Sequence, residues 1–334
     1  MTQSFEREHR VAVEAVRTAT TVCRRIQAGI ANDVLQKHDC SPVTVADFSS
    51  QALICRQLAA EFPDDPIVGE EDSSELRRQQ NVDFSELIVD EFNQLSISSD
   101  LDEICGWIDR GRAEHYSDRF WTLDPIDGTK GFLRGEQYAI SLALIVEGKI
   151  KVGVLGCPKL PLQPNSEQPC GAMFFAIRGQ GSYVMPFHSF KHPVGIRVSQ
   201  TDDFSDIQLC ESVESAHTAH DRSKVMAQDL GVTRPAVRMD SQAKYAVVAR
   251  GEADVYLRLP TRDNYYENIW DHAAGVLIVE EAGGTVTDAN GELLDFTHGR
   301  ELVANRGVIV TNGLLHDRVL EAAQTTRVLP ADTE

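Results

Sequence analysis

Between Tyr138 and Leu155 the chain carries two largely apolar runs, Tyr138–Val146 and Ile150–Leu155, parted only by Glu147-Gly148-Lys149. Two such runs around a short turn predict an antiparallel hairpin, which commits the middle of the chain to a sheet. Other elements fall around it. Phe120–Leu123 reads as a buried strand ending at Asp124, and Ile67–Gly69 as a short strand delivering Glu70 and Glu71. Gly171–Ile177 and Ser182–Met185, joined across Arg178–Gly181, read as a second hairpin, and proline-rich Lys159–Pro169 as a loop. Ahead of these, Ala12, Val16, Ala19, Cys23 and Ile26 recur at helical spacing up to Gly29. A second helix is expected from near Asp47 through Leu58, stopping before Pro63, and two more around Leu87–Leu95 and Leu101–Ile108. A lobe boundary is expected near residues 187–195. Beyond it, strands near Gln208–Cys210, Val237–Met239, Ala253–Leu259 and Val308–Val310 alternate with helices near Ser223–Leu230, Ser241–Ala249, Asp271–Ala282 and His316–Ala323. That alternation predicts an α/β lobe. The fold class is therefore α/β, with an α+β N-terminal lobe over residues 1–190 and an α/β C-terminal lobe over 191–334.

The net charge of −19 disfavours nucleic acid and anionic membrane as partners. The seven cysteines are scattered, odd in number and form no C-x-x-C pair, which argues against a disulfide framework and a zinc site. The N-terminal decapeptide Met1–Arg10 is polar and charged, unlike a signal peptide, and no segment is long and apolar enough to span a bilayer. A cytosolic protein, monomeric and without membrane attachment, is expected.

The chemistry-bearing residues are carboxylates at strand ends and helix starts. Asp124 and Asp127 flank Pro125, whose ring stiffens the backbone, and Gly128 allows an unusual turn. Both carboxylates could face one cation, with the Ile126 carbonyl as a third hard oxygen, a donor set that suits Mg²⁺. Read alone, an acidic pair at a strand end is usually a turn or a helix cap. Glu70 and Glu71 are a second candidate or a solvated acidic surface. Asp271 and Asp47 are further candidates or ordinary caps.

With these residues in view, the chain resembles the lithium-sensitive inositol monophosphatase superfamily. Asp124-Pro125-Ile126-Asp127-Gly128-Thr129 and Trp270-Asp271-His272-Ala273-Ala274-Gly275 are similar to its two signatures. Gly69-Glu70-Glu71 and Ser41-Pro42-Val43-Thr44-Val45-Ala46-Asp47 are similar to a third and a fourth element. Within the superfamily, Asp240–Tyr245, Ala253–Pro260 and Val213–His217 with His220 resemble the 3′(2′),5′-bisphosphate nucleotidases, fungal and plant members above all. Ala216 stands where those proteins often have glycine. The helical stretch 81–118 lengthens the gap between the Glu and Asp motifs as it does in that branch.

The resemblance implies a layered α-β-α-β-α sandwich. It implies two or three Mg²⁺ ions held by Glu70, Asp124, Asp127, Asp271 and the Ile126 carbonyl. It assigns water activation to Asp47 together with Thr129, and leaves Glu71 as an outer-shell residue or a solvated charge. Thr129, His217, Ser241, Lys244, Arg258 and Asp271 would hold a small-molecule bisphosphorylated adenosine nucleotide; without the resemblance, Lys244 and Arg258 read as surface charges and His217 as a helix-flank histidine. The implied activity is hydrolysis of the 3′-phosphate of adenosine 3′,5′-bisphosphate to AMP, and of 3′-phosphoadenylyl sulfate to adenylyl sulfate. Li⁺ sensitivity and a place in sulfate assimilation and salt tolerance go with it. The alternatives are an inositol polyphosphate 1-phosphatase with the same metal site, and a catalytically silent metal or nucleotide sensor.

Overall fold

A computed structural model describes residues 4–30, 45–78, 82–164, 171–187, 192–214, 220–259 and 265–326. The expected hairpin is its centre: β3 (Ala139–Val146) pairs antiparallel with β4 (Lys149–Cys157), and almost every residue of both is buried. Strands buried on alternate residues in both directions need cover on both faces, and the fold supplies it. A seven-stranded sheet runs in the order β1 (Ile67–Gly69), β2 (Arg119–Asp127), β3, β4, β5 (Ala172–Ile177), β6 (Ser182–Pro186) and β7 (Val194–Ile196). Helices α1 (Glu6–Ile30) and α2 (Val45–Glu61) pack on one face, with α3 (Val82–Gln94) and α4 (Leu101–Asp109) against α2. In the apolar core under them, Val16, Ala19 and Ile54 meet Leu142, Leu144 and Val154.

The other face of the sheet is covered by α7 (Ala243–Ala249) and α8 (Ala273–Glu281). Helix α8 is apolar almost all round, as a helix between two sheets must be. On its far side lies a five-stranded sheet in the order β11 (Thr285–Thr287), β12 (Val308–Thr311), β10 (Val255–Arg258), β8 (Leu209–Glu211) and β9 (Val237–Arg238). Helices α6 (His220–Asp229) and α9 (His316–Thr326) close its outer face through Met226, Leu257, Ile309 and Val319. The stack is α-β-α-β-α.

Two features of the strands aim the site. First, β1 lies parallel to β2 with Gly69 opposite Leu123, so the next residues, Glu70 just past the end of β1 and Asp124 still in β2, stand side by side. Second, β2 is bulged. Its pairing with β3 passes from Asp124↔Ser141 to Asp127↔Ala139, three steps on β2 against two on β3. In a regular strand residues three apart face opposite ways; the extra residue of the bulge lets both carboxylates serve one side. Strand β2 thus runs to Asp127 where the sequence suggested an end at Asp124. In the second sheet β8, β9 and β10 are parallel neighbours, and their carboxyl ends open toward the same place.

Candidate active site

Those strand ends enclose a pocket of about 290 Å³. The first sheet contributes Glu70, Asp124, Ile126 and Asp127, and Thr129 follows at the start of a short helix, α5 (Thr129–Leu133). The second sheet and its connections contribute Ser241, Lys244, Arg258 and Asp271. Nine of the residues singled out in the sequence therefore share one cavity. His217 lies outside the described residues, as do Ser41–Thr44, Pro260, Cys40, Cys170 and residues 165–169 of the expected loop.

Helix α2 builds the acidic wall from below. Its polar residues Ser49, Ser50 and Gln51 are fully buried. Ser50 Oγ donates to the Pro125 carbonyl at 2.8 Å, pinning the bulge. Gln51 Nε2 donates to the carbonyls of Glu71 and Ile108 at 2.6 and 3.0 Å, and its Oε1 accepts from the Glu71 N–H at 3.0 Å. Gly69 is required here: a Cβ on it would sit 2.8 Å from Gln51 Oε1. Asp47 is buried in the first turn of the same helix, and its charge raises the proton affinity of Glu70 and Glu71. It is not the N-cap that the sequence allowed, because α2 begins at Val45.

Oxygen atoms of Asp124, Asp127 and Asp271 lie within 4.8 Å of one another. Such crowding is costly without a cation. Burial, then the charges of Glu70 and Asp127, push Asp124 well above the usual carboxylate range. Burial of its carboxyl, Glu71 and Asp271 do the same to Glu70, which lines the cleft and is exposed as a whole residue. Burial and Asp271 raise Asp127 to about 6 despite the pull of Lys244 and Arg258. Burial and Asp47 raise Glu71 to about 8. Asp124 Oδ1 is buried and has no hydrogen-bond partner among the described residues. An orphaned carboxylate oxygen among raised carboxylates, all hard donors, fits a divalent cation such as Mg²⁺. Thr129 Oγ1 donates to the Ile126 carbonyl at 3.2 Å, which leaves the hydroxyl oxygen able to accept a hydrogen bond.

The second wall is joined to the first by a strained turn. Gly128 has φ +88°, and Ser241, against it, has φ +69°. A Cβ on Gly128 would come within 3.2 Å of the Ser241 Cβ. A left-handed non-glycine residue beside a buried carboxylate cluster is the kind of strain that concentrates at functional sites. The turn aims the next backbone N–H, that of Gln242, at Asp127 Oδ2. The Gln242 side chain donates to the Trp270 carbonyl at 2.8 Å and accepts from the Gly275 N–H at 3.2 Å. Gln242 was not singled out in the sequence, yet it links Asp127 to the residue ahead of Asp271.

Lys244 is buried, its Nζ donating to the Ser241 and Met239 carbonyls at 2.7 and 3.2 Å and lying 5.3 Å from the Tyr256 ring. Arg258 is buried between Glu267 and Asp271, with Nη2 at 2.5 and 3.1 Å from their oxygens. Neither is a surface charge. Arg258, ahead of His272, outweighs the effect of burial and holds Glu267 down at about 2. Asp271 ends a 3-10 turn, Ile269–Asp271, with α8 starting two residues later at Ala273, so it pairs with Arg258 and does not cap the helix. Glu267, Asp271 and His272 form a second group of close donor atoms, already answered by the Arg258 guanidinium.

The inositol monophosphatase family model matches residues 6–327, nearly the whole described chain. The chain belongs to that family. It is 42% identical to a 3′(2′),5′-bisphosphate nucleotidase of Emericella nidulans over 96% of this chain and 98% of that one. It is 43% identical to the protein of that name from Schizosaccharomyces pombe, over 96% and 95%. A 3′(2′),5′-bisphosphate nucleotidase 1 of Arabidopsis thaliana is 42% identical over 96% of each chain. Among solved structures, inositol monophosphatase from Anabaena shares the fold with a TM-score of 0.62 at 23% identity, covering 97% of both chains. The Thermotoga maritima IMPase does so with a TM-score of 0.63 at 22% identity, over 94% and 96%. The expected layered sandwich is the one observed.

Proposed function

We propose that the protein is a Mg²⁺-dependent 3′(2′),5′-bisphosphate nucleotidase that removes the 3′-phosphate of adenosine 3′,5′-bisphosphate, giving AMP and phosphate. The observation that carries the reading is the pocket's asymmetry. One wall gathers Glu70, Asp124 and Asp127 with an unpartnered carboxylate oxygen, and the other brings Lys244, Ser241 and Arg258. The first wall would hold cations, and the donors of Lys244, Ser241 and Arg258 would orient a second anion on the other, which they share with Asp271, as a substrate with two phosphates requires. Support comes from the near-full-length likeness to nucleotidases in fungi and a plant.

Glu70, Asp124, Asp127, Asp271 and the Ile126 carbonyl would hold two or three Mg²⁺ ions. Bound there, Mg²⁺ would lower the pKa of the attacking water and neutralise charge on the ester and leaving oxygens. Within this chain, the Thr129 hydroxyl, turned from the Ile126 carbonyl, would take a proton from the attacking water as it passes its own to the Asp47 carboxylate. Ser241, Lys244, Arg258 and His217 would orient the nucleotide. Glu71, bonded through its backbone to Gln51, would act from outside the metal shell. 3′-Phosphoadenylyl sulfate, which carries the same 3′-phosphate, is a second substrate in this reading, and a role in sulfate assimilation and salt tolerance follows from it.

Residues 1–190 and 191–334 would serve as the two lobes, the first supplying most of the metal ligands, with β7 beyond that boundary returning to the first sheet. A cytosolic location accords with the five cysteines among the described residues, Cys23, Cys55, Cys105, Cys157 and Cys210, which are buried and unpaired. No helix among the described residues is long and apolar enough to cross a membrane. The reading is tested by phosphate release with Mg²⁺ from adenosine 3′,5′-bisphosphate and from inositol phosphates. A clear preference for the inositol esters would overturn it in favour of an inositol polyphosphate 1-phosphatase, and no turnover of either would favour a silent sensor.

A further inference from the structure

Tyr265 takes no part in the reading above, yet it lines the same pocket. It is the one aromatic side chain among the pocket's described lining residues, and it is 39% exposed. It stands on the connection between β10 and the 3-10 turn that carries Asp271, on the wall formed by the second sheet. Its hydroxyl accepts a long hydrogen bond, 3.4 Å, from Arg258 Nη2.

That same nitrogen also meets Glu267 and Asp271. The positive charge of Arg258 is thus matched twice inside the protein. It fixes direction, but it adds little net charge for a substrate anion. Lys244 likewise spends two of its three protons on backbone carbonyls. A doubly charged phosphate on this wall therefore needs a further donor. Tyr265 is one. Burial, with Glu267, keeps the phenol protonated. Because its oxygen accepts from Arg258, its own O–H is left to donate into the pocket.

We propose that the Tyr265 hydroxyl donates a hydrogen bond to the non-reacting phosphate of the bisphosphate substrate and so helps the enzyme distinguish two phosphates from one. With the scissile phosphate held against Asp124, Asp127 and Thr129 on the first-sheet wall, we assign the Tyr265 hydroxyl, on the second-sheet wall, to the other phosphate. A phenol donating to an anionic oxygen makes a short, charge-assisted bond. This inference rests on the nucleotidase reading.

The test is Tyr265→Phe, which keeps the ring and removes only the hydroxyl. kcat/KM is measured for adenosine 3′,5′-bisphosphate and for adenosine 3′-monophosphate. The variant should lose about tenfold or more on the bisphosphate, mainly through KM, and less than about twofold on the monophosphate. Equal losses on both substrates would mean that the hydroxyl acts only by holding Arg258, and would overturn the proposal. So would an unchanged wild-type preference for the bisphosphate. A wild-type enzyme that gains nothing from the second phosphate would overturn the nucleotidase reading itself, and this inference with it.

Discussion

Replacing Asp127 by Asn should stabilise the metal-free protein while abolishing its response to Mg²⁺. Burial and Asp271 raise the Asp127 carboxyl from 3.8 to about 6. One pKa unit corresponds to about 1.4 kcal/mol, so keeping this carboxylate ionised in the empty fold costs about 3 kcal/mol. Its partial contact with solvent screens that to about 1–2 kcal/mol. The sign follows from linkage: a carboxyl whose folded pKa is raised binds its proton more tightly in the native state. Its favourable contribution is whole below the unfolded value of 3.8 and is lost as pH rises through about 6. Asparagine carries no charge and can keep the hydrogen bond from the Gln242 N–H. In EDTA at pH 7.5 the variant should melt about 2–5 °C above the wild type, and at pH 4 the gap should nearly close. Mg²⁺ at 100 times its dissociation constant should add about 2.7 kcal/mol to the wild type and almost nothing to the variant. The assay is thermal unfolding followed by circular dichroism at both pH values, with and without Mg²⁺. A variant that melts below the wild type in EDTA at pH 7.5, or that gains as much from Mg²⁺, would refute the reasoning.

Gln51→Leu should unpair the Glu71 N–H and the Glu71 and Ile108 carbonyls. At about 1–3 kcal/mol per stranded buried group the three together cost about 3–9 kcal/mol. The melting temperature should fall by at least about 5 °C and the Mg²⁺ concentration for half-maximal activity should rise; a shift under about 2 °C would contradict the assigned role. Li⁺ at millimolar levels or below should inhibit phosphate release by occupying one of the cation positions, and activity that survives high Li⁺ at limiting Mg²⁺ would exclude that.

Much of the fold was legible because its strands are long apolar runs bounded by turns, as at Tyr138–Leu155, and its helices α1 and α9 have clear apolar faces. Short pieces were missed. Helix α5 has five residues, and β7 and β11 have three each, too few for a period to show. Helix α2 concealed its function differently. Ser49, Ser50 and Gln51 look like a solvated face, yet all are buried, because the ends of β1 and β2 supply backbone partners that no local pattern reveals. The carboxylates of the pocket could be found by their strand-end positions. The reason Asp124 and Asp127 point the same way could not, since the bulge depends on pairing with β3. Glu267 and Gln242 were invisible for a similar reason: each matters through a partner distant in the chain or the fold, Arg258 for one and Asp127 with Trp270 for the other.

The most direct measurement is phosphorus NMR of adenosine 3′,5′-bisphosphate incubated with the protein. The 3′-phosphate signal should disappear as AMP and inorganic phosphate appear in equal amounts, with Mg²⁺ present and not in EDTA. Loss of the 5′-phosphate, turnover that persists in EDTA, or an intact nucleotide beside rapid hydrolysis of inositol phosphates would contradict the account.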